Sequence, residues 1–170
     1  MTVALFSGSS GFSGFARKSR RAGAALGAVA TGLLVLAACD KPTPLATVTV
    51  GTDSVNTEAS CYNDGKAIAE NKMTACLNKK ADRTITVALD DKIRFGVDPT
   101  IAEHGWSIFI NGQPAEQEPY TKTYRTIPAS AFLSSQASPT GEPATETQVS
   151  IVETSGKTLT GVWHFQFKKG

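Results

Sequence analysis

The chain has 170 residues, 41% of them hydrophobic and 19% charged, with 17 Lys and Arg against 15 Asp and Glu. That length suits one domain with a proper core. The basic excess is confined to one place, because Arg17, Lys18, Arg20 and Arg21 precede position 39 and no acid does. Residues 39–170 carry 13 basic and 15 acidic side chains, a formal charge of −2, and so offer no argument for nucleic acid as a partner.

The first informative stretch is Arg17-Lys18-Ser19-Arg20-Arg21, followed by residues 22–38 without a charge. A basic region, an apolar run and small residues before a cut site make a secretory signal peptide. Here Leu36-Ala37-Ala38 precedes Cys39, a pattern that resembles the lipobox of bacterial lipoproteins. The resemblance implies acylation at Cys39, which becomes the first residue of the mature chain. A membrane-spanning helix is the rival reading, but it needs about 20 predominantly apolar residues. This run is 17 residues long, and many of them are Ala, Gly or Thr. Residues 1–16, rich in Gly, Ser and Phe, are set aside from the fold.

With Cys39 assigned to lipid, Cys61 and Cys76 are left, and in an exported chain they most simply pair with each other. The loop so closed would constrain the unfolded chain by about 3 kcal/mol. Residues 39–45, with Pro42 and Pro44, read as a short extended tether.

From Ala46 the pattern has a period of two. Ala46, Val48 and Val50 alternate with Thr47 and Thr49, and residues 51–53 read as a turn into a weak strand over 55–60. Ile85, Val87 and Leu89 form the next alternation, then Ile93, Phe95 and Val97 after Asp90-Asp91. Trp106, Ile108 and Ile110 follow, closed by Asn111-Gly112. Residues 121–127, 149–152 and 158–168 complete the set, and in the last Trp163, Phe165 and Phe167 face one side while His164, Gln166 and Lys168 face the other. Alternation bounded by Gly, Asn and Asp is the strand signal. It predicts an all-β protein, an antiparallel immunoglobulin-like β-sandwich of about seven to eight strands. Only residues 66–77 and 128–133 suit a short helix, so at most one or two helices are expected. Residues 134–146, rich in Ser, Thr, Pro and Gly, read as a mobile loop.

Several of these stretches taken together are similar to small actinobacterial lipoproteins of an uncharacterised family, a domain of unknown function. They are Leu36-Ala37-Ala38-Cys39-Asp40-Lys41-Pro42-Thr43-Pro44, Cys61-Tyr62-Asn63-Asp64-Gly65, Gly105-Trp106 with Asn111-Gly112, Tyr124-Arg125-Thr126-Ile127-Pro128 and Gly161-Val162-Trp163. The resemblance spans nearly all of residues 39–170. It implies export and lipidation and brings no catalytic residues with it.

Chemical constellations are sparse. A blue-copper site needs two His, a Cys and a weak axial Met. His104 stands where a first ligand would lie, but Gly161-Val162-Trp163-His164 lacks the late Cys, and alternation places His164 on a polar, solvated face. Asp90, Asp91 and Asp98 do not follow a calcium-loop spacing. Ser155-Gly156-Lys157-Thr158 echoes a phosphate loop, but Ile151 takes the place of its first glycine. Glu103 and His104 are adjacent, so on an extended chain their side chains point apart. No nucleophile–base–orienter set can be assembled, and no enzyme, metal or cofactor is expected. Tyr62, Tyr120 and Tyr124, in or near loops, are the better candidates for a contact surface. The candidate binding residues are therefore Tyr62, Glu103, His104 and Tyr120.

The expected organisation is a lipoprotein signal peptide at 1–38, a lipidated tether at 39–45 and a sandwich at 46–170. It describes a non-catalytic binding or envelope-associated module on the outer face of the cytoplasmic membrane, anchored through Cys39. Its expected partner is a membrane or cell-envelope protein. The alternatives are an exported, cupredoxin-like metal carrier and an extracytoplasmic enzyme with an unrecognised site. Counting strand ends alternately predicts that the connections 61–83, 98–105 and 128–147 share the tether's end of the sandwich. The turns at 51–53, 90–91, 111–120 and 155–157 then share the other end.

Overall fold

The computed structural model describes residues 42–134, 141–156 and 158–170. The expected signal segment and Cys39 lie outside those residues, as do Lys157 and part of the stretch 134–146 expected to be a mobile loop. β1 (Ala46–Val50) turns through Gly51, at φ 55°, into β2 (Asp53–Thr57). β3 (Cys61–Tyr62), α1 (Glu70–Leu77), β4 (Thr84–Val87) and β5 (Lys92–Val97) follow. Next come α2 (Pro99–His104), β6 (Trp106–Ile110), β7 (Gln113–Pro114), β8 (Tyr124–Pro128) and α3 (Ser130–Leu133). A long hairpin of β9 (Glu146–Ser155) and β10 (Thr158–Lys169) ends the chain.

One sheet has the order β2-β1-β5-β8, antiparallel throughout. The other runs β10-β9-β6-β7, also antiparallel, and β3 and β4 share the remaining edge of β10. β4 is the exception in direction, pairing parallel with Gln166–Lys169. The sheets pack as the expected mainly antiparallel sandwich. Alternating branched and aromatic residues supply its filling, because every second side chain of each strand meets the other sheet. Val48, Ile93 and Phe95 come from one sheet, and Ile108, Ile151, Trp163, Phe165 and Phe167 from the other, all buried. Phe132 of α3 closes this core with ring centroids 5.7 Å from Phe95 and 5.4 Å from Phe167.

Five expectations are corrected. Ten strands are present among the described residues, because β3 and β7 have two residues each and are too short for alternation to mark. Three helices rather than two are present, since α2 occupies the expected connection 98–105. Pro99 in its first turn and Gly105 just past its end, at φ 99°, are the residues that favour a helix there. Leu89 is exposed, because β4 ends at Val87.

The fourth correction concerns the outer face of the larger sheet. His164 is only 1% exposed, although it faces away from Trp163, Phe165 and Phe167. α1 lies across that face and builds a second apolar cluster of Ile68, Cys76, Val152, Leu159 and Val162. Cys61 and Cys76 join it from β3 and α1, with their sulfurs 2.08 Å apart.

The two ends of the sandwich also differ from the parity count. Asp98 N–H donates to the Leu45 carbonyl and Thr154 N–H to that of Gly105, which puts α2 at the tether end, where the count places it, and the β9–β10 turn there too, where the count does not. Ala129 N–H donates to the Asp91 carbonyl and Lys169 N–H to that of Thr145, so both described ends of the connection after β8 lie at the far end. The count fails after Gly112. There the chain returns along β6 through β7 and reaches Tyr120, which is paired with Trp106 at the tether end before β8 begins. That unmarked pass reverses the direction of each later strand.

Candidate functional site

Strand register sets Tyr62, Gly161, Glu153 and Trp106 side by side across the larger sheet. Residues directly opposite in antiparallel pairs share a face, here the face that carries Trp163 two residues beyond Gly161. Tyr120 extends the row. Its N–H donates to the Trp106 carbonyl at 2.7 Å, and its ring meets the indole edge-on at 5.5 Å. The guanidinium of Arg125, ion-paired with Glu116, covers the other side of the Tyr120 ring at 5.2 Å.

Glu153 is fully buried at the centre of this row. α2 ends by bringing His104 over it, and the Nδ1–H of His104 donates to Glu153 Oε1 at 2.7 Å. Glu153 Oε2 has no hydrogen-bond partner among the described residues. Two glycines make room for the pair. A Cβ on Gly161 would stand 2.9 Å from Glu153 Oε2 and 2.5 Å from the Trp163 ring. Gly65, at φ 69°, packs against the imidazole, and a Cβ there would stand 2.6 Å from His104 Cε1. Both a left-handed backbone and a close approach therefore demand glycine at 65.

Tyr62 packs on Trp163 at 5.9 Å between ring centroids. Burial, then the carboxylates of Glu153 and Asp64, push its phenol above the ordinary tyrosine range. The segment entering the domain is strapped across the same end. The Trp163 indole N–H donates to the Pro44 carbonyl at 2.7 Å, Leu45 N–H to Asp98 Oδ2 at 2.8 Å and Ala59 N–H to Thr43 Oγ1 at 2.9 Å. A cavity of about 330 Å³ is bounded by this strap, by Tyr62 and Asp64, and by Asp98 and Thr100 at the start of α2.

All four candidate residues, Tyr62, Glu103, His104 and Tyr120, thus lie at the tether end. Glu103 is exposed on α2, and the carboxylate that meets His104 is Glu153, 49 residues further on. His104 therefore has a carboxylate partner that neighbouring residues in the sequence do not reveal, and the pair is His104 with Glu153 rather than with Glu103. One signal for it was present in the sequence: Glu153 continues the apolar face of Val149 and Ile151, an acid at a core position. Among the described residues no hydroxyl or thiol hydrogen bonds to His104, and no group of three or more His, Cys, Asp or Glu converges.

His164 stands apart beneath α1. Its Nε2–H donates to the Cys76 carbonyl at 2.8 Å and ties α1 to the sheet, while its Nδ1 accepts from Ser150 Oγ of the neighbouring strand at 2.6 Å. Burial, foremost, holds its pKa below the ordinary imidazole value.

Comparisons with known proteins return no match, whether to a protein-family model, a curated protein or a solved structure.

Proposed function

We propose that the chain is an extracytoplasmic lipoprotein anchored through Cys39, and that its sandwich is a non-catalytic binding or envelope-associated module. The run from Arg17 to Cys39 carries this reading, and the Cys61–Cys76 pair supports an oxidising compartment. Thr43 is already hydrogen-bonded to the domain. Residues 39–43 fully extended span at most about 14 Å, so an anchor at Cys39 keeps the tether end at the membrane surface. α2, Tyr120 and the β9–β10 turn then face the bilayer, and the β1–β2 turn and α3 face away. The role assigned to His104 and Glu153 is to hold α2 and the Gly65 turn on the sheet end, in keeping with a carboxylate sealed from solvent.

Metabolic labelling with a fatty-acid analogue tests the anchor. The parent chain takes up label and is shortened, whereas Cys39→Ala takes up none and accumulates at full length. A Cys39→Ala chain that is processed and labelled like the parent overturns the reading. Stable retention at the membrane requires more than a single acyl chain.

A further inference from the structure

The outer face of the four-stranded sheet is a second surface with its own chemistry. Register aligns Thr47, Gly96 and Tyr124 in one row and Thr49, Arg94 and Thr126 in the next. Gly96 leaves a gap in the first row, because a Cβ placed there would meet only Thr47 Cβ within 4 Å, at 3.9 Å. A shallow trough therefore runs between Thr47 and Tyr124 with Gly96 as its floor. Tyr124 is 60% exposed, more than Leu45 or Leu89. Thr126 Oγ1 donates to its hydroxyl at 3.3 Å from two residues along the same face, so the phenol lies along β8 rather than standing off the sheet.

The side chains select among partners. A membrane or nucleic acid would need a larger cluster of cations, and this face has two, Lys92 and Arg94, amid hydroxyls. A protein partner would need several apolar anchors that bury together, and Tyr124 is the single aromatic in the two rows. A recumbent phenol, a trough one side chain wide, two threonine hydroxyls and a guanidinium suit a chain of uncharged sugar rings. The C–H face of a sugar would pack on the phenol, and its hydroxyls would exchange hydrogen bonds with Thr47, Arg94 and the paired hydroxyls of Thr49 and Ser54.

We propose that this face binds a neutral polysaccharide, with its sugar rings seated on Gly96 against Tyr124. The proposal names the ligand of the binding module and rests on that reading. The two fail separately: a chain labelled at Cys39 yet blind to glycans keeps its anchor and loses this ligand.

Affinity electrophoresis of the full chain, purified in detergent, tests it in gels cast with soluble arabinogalactan, mannan or β-glucan, and with polygalacturonate as an acidic polymer. At least one neutral polymer is expected to retard the parent. Tyr124→Ala weakens that retardation about ten-fold, and Tyr124→Phe retains most of it. Gly96→Val fills the trough and abolishes binding, yet melts no lower than the parent, because valine suits a strand and its Cβ makes an ordinary contact. The proposal is overturned if no neutral polymer retards the parent, if polygalacturonate alone does, or if Gly96→Val is retarded like the parent.

Discussion

Replacing Cys61 and Cys76 together by alanine asks what holds α1 on the sheet. The crosslink joins residues 15 apart in sequence, and releasing it returns conformational entropy worth about 3 kcal/mol to the unfolded chain. In a domain of this size the melting temperature falls by roughly 10 °C. The loss is not spread evenly. α1 has eight residues and no side-chain cap at its N-terminus, too few to persist without tertiary support. That support comes from Ile68 and Cys76 packed over Val152, Leu159 and Val162, and from His164 bonded to the Cys76 carbonyl. Without the crosslink, the amides of residues 70–77 exchange faster than the global change in stability requires, whereas those at the centre of the β9–β10 ladder follow it. Thermal melts combined with hydrogen exchange read both effects. A double variant that melts within about 2 °C of the parent refutes the reasoning. So does one whose α1 amides keep their protection relative to β9.

His164 gives the fold an acid-sensitive element. Above its ordinary pKa of 6.5 the imidazole is neutral in both the folded and unfolded chain, and stability is complete. Below that pH the unfolded chain takes up a proton that the buried ring refuses, so stability falls by up to about 1.4 kcal/mol per pH unit. Urea titrations between pH 5 and 8 show that slope in the parent and lose it in His164→Gln; the same slope in both chains contradicts a buried neutral ring. Gly65→Ala costs about 2 kcal/mol, from its positive φ together with displacement of the His104 ring. Adding His104→Ala recovers the steric part, and strictly additive losses in that double-mutant cycle refute the close contact.

Local order of residues was enough for the fold class and for the core it buries. Alternation marked β1, β5, β6 and β10 and placed Trp106, Trp163, Phe165 and Phe167 inside, because a strand's period is written in consecutive residues. The two spare cysteines of a chain read as exported likewise pointed to each other, and they meet. Alternation states which residues share a face but not what covers it. By alternation alone His164 reads as solvated, whereas α1 lies over the outer face of the larger sheet and buries it. The His104–Glu153 pair unites residues far apart in sequence, and only the pairing of β6 with β9 sets Glu153 beside Trp106, under the end of α2. The ends of the sandwich were decided in the same way. Two-residue strands such as β7 carry no period to read, yet one such return pass reverses every strand after it, so the placement of the connections beyond Gly112 belongs to the tertiary structure alone.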